Sequence, residues 1–346
     1  MKPFAYCAAI RTLGRAGHKY LRLLQSLQAQ TQPPLKILVY LADDCPPPPE
    51  TLGCETLVRV PRGMVAQRAL PYDEVTTPYL LLLDDDLYLP PRTVEMLAEA
   101  MQQHDGDAVA VDVFRNHELP WPLRVRSALT NWALPRPNDG WAFKLLANGS
   151  FTYNNHPPQG ACPSQTAAGA ASLWRTDVLR ALHLDHECWL DRWGFAYGED
   201  LLHFRKLTLN GGRLLVHYGA QVEHLDAATS HSGSTASPQR LHLRAQMWFM
   251  LWWRAFYALP GLTAWQRVKA VSSFAARFAW NALLLLLIGM ASLNMQALKC
   301  HLRGTLSGWR EVHKPFFTTL PPYRLPHALR HEGQPPHSTH APHAAR

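Results

Sequence analysis

The chain has 346 residues, enough for one large or two modest domains with a real core. With 47% hydrophobic and 17% charged residues it is globular or membrane-associated, and the composition excludes a disordered chain. The net charge of +8 is unevenly spread: residues 227–310 hold no Asp or Glu, nine Lys or Arg and six of the twelve Trp. Basic residues interleaved with Trp favour an anionic membrane surface over nucleic acid as partner.

Six Cys (7, 45, 54, 162, 188 and 300) form no CxxC and no metal-ligand spacing, so they read as reduced thiols of a cytosolic compartment. The start, MKPFAYCAAIRTLGR, is too short and too weakly apolar for a signal peptide. Phe4–Ile10 reads instead as a first strand, followed by the polar loop Arg11-Thr12-Leu13-Gly14-Arg15. Tyr20, Leu23, Leu24 and Leu27 recur at helical spacing and predict a helix over 17–29, stopped by Pro33-Pro34. Ile37–Leu41 is a second buried strand, closed by Asp43-Asp44, and Glu55–Val60 a third. Gly63–Leu70 is expected as a short helix carrying Gln67 and Arg68, just after Arg62. Residues 78–83 are apolar and too short for an ordinary helix, so they read as a fully buried strand. That strand ends in three adjacent carboxylates, Asp84-Asp85-Asp86. Pro90-Pro91 opens a helix with Val94, Leu97, Ala98 and Met101 on one face, and Ala108–Val113 is a fifth strand.

Strands alternating with helices predict an α/β fold with a mostly parallel sheet. Neither GxGxxG nor GxxxxGK[ST] occurs, which removes the dinucleotide fingerprint and the P-loop. Residues 115–165 read as irregular, with Trp121, Trp132 and Trp141 along them. Ala167–Trp174 is small, then apolar; Thr176-Asp177 is expected to cap a helix over 177–183. An aromatic loop from Trp189 ends in Glu199-Asp200, followed by a helix closed by Gly211-Gly212. Residues 213–218 and 220–225 read as strands carrying His217, Glu223 and His224, and 226–238 as a flexible loop.

From about residue 240 the chain turns helical, over 240–258 and 262–314. The apolar run 278–293 falls short of the ~20 residues of a clean membrane span, so it is expected to lie in the interface or to re-enter. The competing expectation is a buried helical hairpin. The tail after 330 is rich in His and Pro and expected to be disordered.

Adjacent carboxylates repel unless a cation or donors meet them, and the end of a buried strand is where an open α/β sheet places its ligand. Hard carboxylates with one imidazole, His224, suit Mg²⁺ or Mn²⁺ and the oxygens of a phosphate. A prenyl-diphosphate synthase would also use acid clusters, but spaced along a helix; a non-enzymatic membrane scaffold would bind no nucleotide.

The ordered set RTLGR, SLQAQT, Asp43-Asp44 after a strand, RGMVAQRA, LLLLDDD, AAGAASLWR, GFAYGEDLLHFRKL and VEHLD resembles the family 2 glycosyltransferases of the GT-A fold over about residues 4–226. The resemblance implies a single α/β domain with a nucleotide-binding half and an acceptor half. By it, Arg11 and Asp43 or Asp44 hold a nucleobase, Arg62 and Arg68 lie near nucleotide and phosphate, and Asp84 and Asp85 belong to the nucleotide-sugar site, Asp84 on its ribose side. Asp86 and His224 ligate the divalent cation, Asp200 is the catalytic base and Glu199 binds the acceptor, with the reverse assignment of those two open. Trp121, Trp132, Trp193, Phe195 and Tyr197 are candidates to stack on sugars. One departure is Asp43-Asp44-Cys45 before four prolines, where the family often has Asp-Gly-Ser.

The organisation expected is a catalytic domain at 1–238 (halves at about 1–114 and 115–238), a helical membrane-associating region at 239–320 and a tail at 321–346. The function expected is an inverting, metal-dependent transfer from a nucleotide-diphosphate sugar to a lipid-linked or cell-surface glycan of the cell envelope. It would take place on the inner face of the cell membrane.

Overall fold

The structure is a computed structural model and describes residues 4–113, 125, 133–135, 140–154, 159–194, 196–225, 237–326 and 329. Five strands of the first third form where they are expected: β1 (Tyr6–Thr12), β2 (Lys36–Ala42), β3 (Glu55–Val60), β4 (Tyr79–Asp84) and β6 (Ala108–Val111), with a two-residue β5 (Leu87–Tyr88) between the last two. Later come β7 (Ala133–Pro135), β8 (Phe143–Leu145), β9 (Phe151–Tyr153), β10 (Ala161–Ser164), β11 (Ala171–Arg175), β12 (Leu214–His217) and β13 (Glu223–His224). Eight of them make one sheet in the order β10-β12-β6-β11-β4-β1-β2-β3. β3-β2-β1-β4 run parallel, as do β6 and β12, while β11 runs antiparallel between β4 and β6 and β10 antiparallel at the edge.

β4 is buried on both faces, which explains its unbroken leucines. Leu81 and Leu83 face α1 (His18–Gln28) and α2 (Thr93–Gln103), joining Leu23, Leu24, Leu27, Val94 and Leu97. Leu80 and Leu82 face the other way, into the core shared with Trp174, Phe204 and Leu207. That second layer contains α3 (Thr176–Ala181), a 3₁₀ segment at Leu184–Trp193 and α4 (Glu199–Leu209).

The structure departs from several expectations. Gly63–Leu70 forms successive turns, since eight residues barely repay helix nucleation and the Asp191 carboxylate takes the Val65 and Ala66 amides. Residues 115–165 are not wholly irregular: β7-β9-β8 form a small separate sheet and β10 joins the main one. Strands of three or four residues carry too little periodicity to be read. Thr176 does not cap α3; its hydroxyl donates to the Thr77 carbonyl at 2.9 Å. Of 220–225 only Glu223–His224 pairs, with β5.

The C-terminal region holds α5 (Pro238–Trp252), which runs into a π-helical turn at Trp253–Tyr257, then α6 (Ala264–Ser292), α7 (Gln296–Glu311) and the short α8 (Pro315–Thr318). Residues 262–314 therefore break in two, with Leu293 left-handed at φ 54° and no Gly or Pro to announce it. α7 lies close on α5: a Cβ at Gly304 would fall 2.3 Å from the His242 carbonyl oxygen, and one at Gly308 2.7 Å from that of Gln246. α6 has 29 residues, about 43 Å, and is long and apolar enough to cross a membrane by length and composition, although its apolar run alone seemed too short. Only Ala270, Arg277 and Gly289 of α6 are buried, so it is not half of a buried hairpin. The tail begins later than residue 321, because Tyr323 is 2% exposed and donates its hydroxyl to the Leu202 carbonyl of α4. Apart from Leu329, residues 327–346 lie outside the described residues.

Candidate active site

Parallel strands present their carboxyl ends on one edge, and β1, β2 and β4 bring Arg11-Thr12, Asp43-Asp44 and Asp84-Asp85-Asp86 to it. Arg11 and Asp84 are register partners across β1 and β4. The Arg11 Nε donates to Asp84 Oδ1 at 2.6 Å, its Nη1 donates to the Met64 carbonyl at 3.0 Å, and Nη1 lies 3.7 Å from Glu199 Oε1. Arg11 therefore sits among the carboxylates rather than beside Asp43 and Asp44.

The turns after β3 aim Arg68 at the same centre. Its Nη2 meets Asp84 Oδ1 at 2.9 Å, and its Nη1 donates to Asp200 Oδ1 and lies 3.6 Å from Glu199 Oε1. Gly198, left-handed at φ 84°, starts α4 so that Glu199 and Asp200 occupy its first turn. Gly169 closes the arrangement from β11's side: a Cβ there would fall 2.0 Å from Asp200 Oδ1 and 2.5 Å from Arg68 Nη1. Two guanidinium groups and three carboxylates from four chain segments thus form one cluster.

The electrostatics follow. Burial raises the Asp84 carboxyl, but Arg11 and Arg68 outweigh it and hold it below the usual range. Burial opposes the charge of Arg11 too, yet Asp84 and Glu199 keep its guanidinium more firmly protonated than usual. Glu199 goes the other way: burial and the neighbouring Asp200 raise its carboxyl against the pull of Arg68 and Arg11. Adjacent acids displaced by environment in this way suit acid–base work.

Asp85 turns to the opposite side of β4. It accepts from Thr12 Oγ1 at 2.5 Å and is pushed up to about 6, first by burial and then by Asp86 and Asp84, with the Thr12 hydrogen bond opposing. Asp86 and His224 are held together by the β5–β13 ladder: Leu87 pairs with His224, and the Leu225 amide donates to the Asp86 carbonyl at 2.7 Å. His224 Nε2 lies 3.5 Å from Asp86 Oδ1. One carboxylate and one imidazole beside the Asp85 carboxyl are hard donors of the kind that suit a divalent cation with positions left for phosphate oxygens. A second group, His183, Asp185 and His186, brings ligand atoms within 4.8 Å of one another at the start of the 3₁₀ segment, outside the Asp84–Asp86 cluster.

Asp43 and Asp44 are exposed in the turn after β2, and Arg62 pairs with Asp44 at 2.7 Å across the surface. Of the aromatic candidates, Trp193 lies 6.2 Å from Phe316 and packs under the C-terminal helices rather than over the acids. Tyr197 stays near them, between the acids and α5, where Arg244 reaches its ring. Trp121, Trp132 and Phe195 lie outside the described residues. Sequence reasoning missed Thr12, Gly169 and Asp191. The small-residue run at 167–171 was a signal for Gly169, whereas Asp191 sits 125 or more residues from the amides it binds.

Residues 17–156 match the model of glycosyl transferase family 2. The match takes in Asp43, Asp44, Arg62, Arg68 and Asp84–Asp86, and stops short of Arg11, Glu199, Asp200 and His224. No curated protein matches the chain. Among solved structures, S. aureus TarS is 16% identical, with a TM-score of 0.46 over 79% of this chain, which spans 43% of the TarS chain. A shorter form, TarS 1–349 in complex with UDP, is 13% identical with a TM-score of 0.47, and 90% of this chain covers 93% of that one.

Proposed function

We propose, from the match of residues 17–156 to the model of glycosyl transferase family 2, that this chain is a metal-dependent inverting glycosyltransferase. It moves a sugar from a nucleotide-diphosphate donor to a lipid-linked or cell-surface glycan. The observation that carries the reading is the meeting of Asp84, at the end of β4, with Glu199 and Asp200, at the start of α4, around Arg11 and Arg68.

The donor lies along the carboxyl ends of β1, β2 and β4. Asp43 and Asp44 sit at its nucleobase end with Arg62, and Asp84 and Asp85 on its ribose and sugar side. Asp86 and His224 would hold Mn²⁺ or Mg²⁺, which supplies charge neutralisation to the departing diphosphate. Asp200 takes the proton of the acceptor hydroxyl as that oxygen attacks the anomeric carbon; the bond to the diphosphate oxygen breaks and the configuration inverts. Glu199, the more buried acid, orients the acceptor. Arg68 now pairs with Asp84 and Asp200 and is placed to exchange the latter for a donor phosphate, its planar fork suiting both partners.

Exposed side chains of the C-terminal helices support a membrane setting for this site. Trp265, Trp280, Leu283, Leu287, Ile288, Met290 and Trp309 are exposed on α6 and α7. Arg267, Lys269, Lys299, Arg303 and Arg310 lie on the same helices. Exposed apolar and Trp side chains beside cations favour a helix lying in an anionic interface. Arg277, midway along α6, disfavours a clean crossing. This reading puts the protein on the cytoplasmic face of the cell membrane, next to envelope glycans. Incubation with a panel of nucleotide sugars, Mn²⁺ and membrane lipid extract tests it: release of a nucleoside diphosphate from one of them is expected. No release from any would count against transferase activity.

A further inference from the structure

Arg277 is the only charged residue among the buried positions of α6, and 9% of it is exposed. Its guanidinium carbon lies 4.0 Å from the ring centroid of Trp248 on α5. That contact engages the π face of the indole and supplies no hydrogen-bond acceptor for the guanidinium N–H groups. Among the described residues the Arg277 Nη1 has no hydrogen-bond partner, and neither has the buried Trp248 Nε1. Both atoms are donors that cannot accept, so no rearrangement between them satisfies either. Buried donors without acceptors are costly and rare.

Among the described residues no carboxylate acts on Arg277; the ionisable groups that do are Tyr197 and Arg244. A second cation, Arg244, acts on it electrostatically. Arg244 of α5 has its guanidinium carbon 4.9 Å from the Tyr197 ring centroid and its Nη2 3.4 Å from the Tyr197 hydroxyl. Tyr197 stands two residues before Glu199, so this donor-rich place adjoins the acceptor side of the site. Two orphaned donors beside a second guanidinium call for an anion with several acceptor oxygens, a chemistry that phosphate meets and that the Arg fork favours.

We propose that Arg277, Trp248 and Arg244 form a subsite for a phosphate group, at the junction of α5, α6 and the segment leading to Glu199. The phosphate is either that of a lipid-linked acceptor or the headgroup of an anionic lipid. The proposal deepens the reading of a membrane-facing transferase with such an acceptor.

The test uses the full chain, Arg277→Met and Trp248→Phe, in EDTA. Inorganic phosphate at millimolar concentration is expected to raise the melting temperature of the wild type. Arg277→Met should melt no lower than the wild type in phosphate-free buffer, since it removes an unpaired buried charge, and should lose the phosphate-dependent rise. Trp248→Phe, which keeps the ring and loses one donor, should weaken phosphate binding several-fold. A second arm follows flotation on phosphatidylcholine vesicles with and without phosphatidylglycerol. Loss of the phosphatidylglycerol preference in Arg277→Met, with competition by inorganic phosphate, assigns the site to a lipid headgroup; an unchanged preference assigns it to the acceptor. A wild type without any phosphate-dependent rise, or an Arg277→Met that keeps it, overturns the proposal. Nucleoside-diphosphate binding in Mn²⁺ should be the same in wild type and both variants, which separates failure of this subsite from failure of the donor site.

Discussion

Arg68 reaches from the turns after β3 to donate to Asp200 at the start of α4, across 132 residues of sequence. The same guanidinium holds Asp84 through its other terminal nitrogen. One side chain therefore links the strand that ends in Asp84 to the helix that carries the proposed base.

Replacing Asp200 by Asn should keep the fold and the donor affinity while lowering kcat by about 10²–10⁴-fold, the range general bases supply. Donor titration and steady-state kinetics on the same preparation check this. Unchanged turnover would remove Asp200 from proton transfer and leave Glu199 as the base.

Arg68→Met leaves Asp84, Glu199 and Asp200 with one guanidinium instead of two. Breaking a buried pair by deleting one partner costs about 3–5 kcal/mol, and the partial exposure of Asp200 puts this case near the low end. Urea denaturation of wild type and variant at neutral pH should show that loss, since Asp84, held below the usual carboxylate range by Arg11 and Arg68, is charged there.

Gly169→Ala probes how closely the acids are held. The added methyl would collide with the ends of two side chains, Asp200 and Arg68, so the variant should fold with a small change in midpoint. Its kcat should fall more than tenfold while donor affinity changes little, because displacing a catalytic group by even an ångström costs rate.

Glu187 offers a pH test away from the chemistry. It is fully buried, accepts from Lys206 at 3.1 Å, from Arg254 at 2.9 Å and from the Trp189 indole at 2.8 Å, and so ties α4 to the π-helical turn after α5. Burial raises its carboxyl, but Arg254 and Lys206 win and hold it below the ordinary range. A depressed folded-state pKa gives stability that is present above the unfolded value of about 4.3 and is lost as pH falls through the folded one. Glu187→Gln should therefore be less stable than wild type at pH 7, and the gap should narrow as pH drops below about 4. Chemical denaturation at both pH values would show it; an equal gap at both would contradict the pairing.

For the membrane face, Leu287→Glu with Ile288→Glu places two charges on exposed positions of α6. Folding should be unaffected and co-flotation with anionic vesicles lost. Retained flotation would move the contact elsewhere.

Much of the architecture was legible because local pattern and tertiary role agreed. The run Leu80–Leu83 is buried on both faces and reads as such; Tyr20, Leu23, Leu24 and Leu27 mark one helix face and line one core. What was hidden depended on distant partners. Leu293 turns the chain between α6 and α7 without Gly or Pro, and Thr176 prefers the Thr77 carbonyl to a cap. At the site, the residue types at 84–86 and 199–200 announced themselves. The cross-linking by Arg11 and Arg68 did not, because the register of β1 against β4 and the entry of Arg68 from a turn are set by folding.

The most direct test is calorimetric titration of the wild type with the common nucleoside diphosphates, once with Mn²⁺ and once with EDTA. One of them is expected to bind with Mn²⁺ and to lose at least tenfold in affinity in EDTA, and Asp86→Asn should abolish that difference. If none binds in the presence of Mn²⁺, the carboxyl ends of β1, β2 and β4 do not form a nucleotide-sugar site.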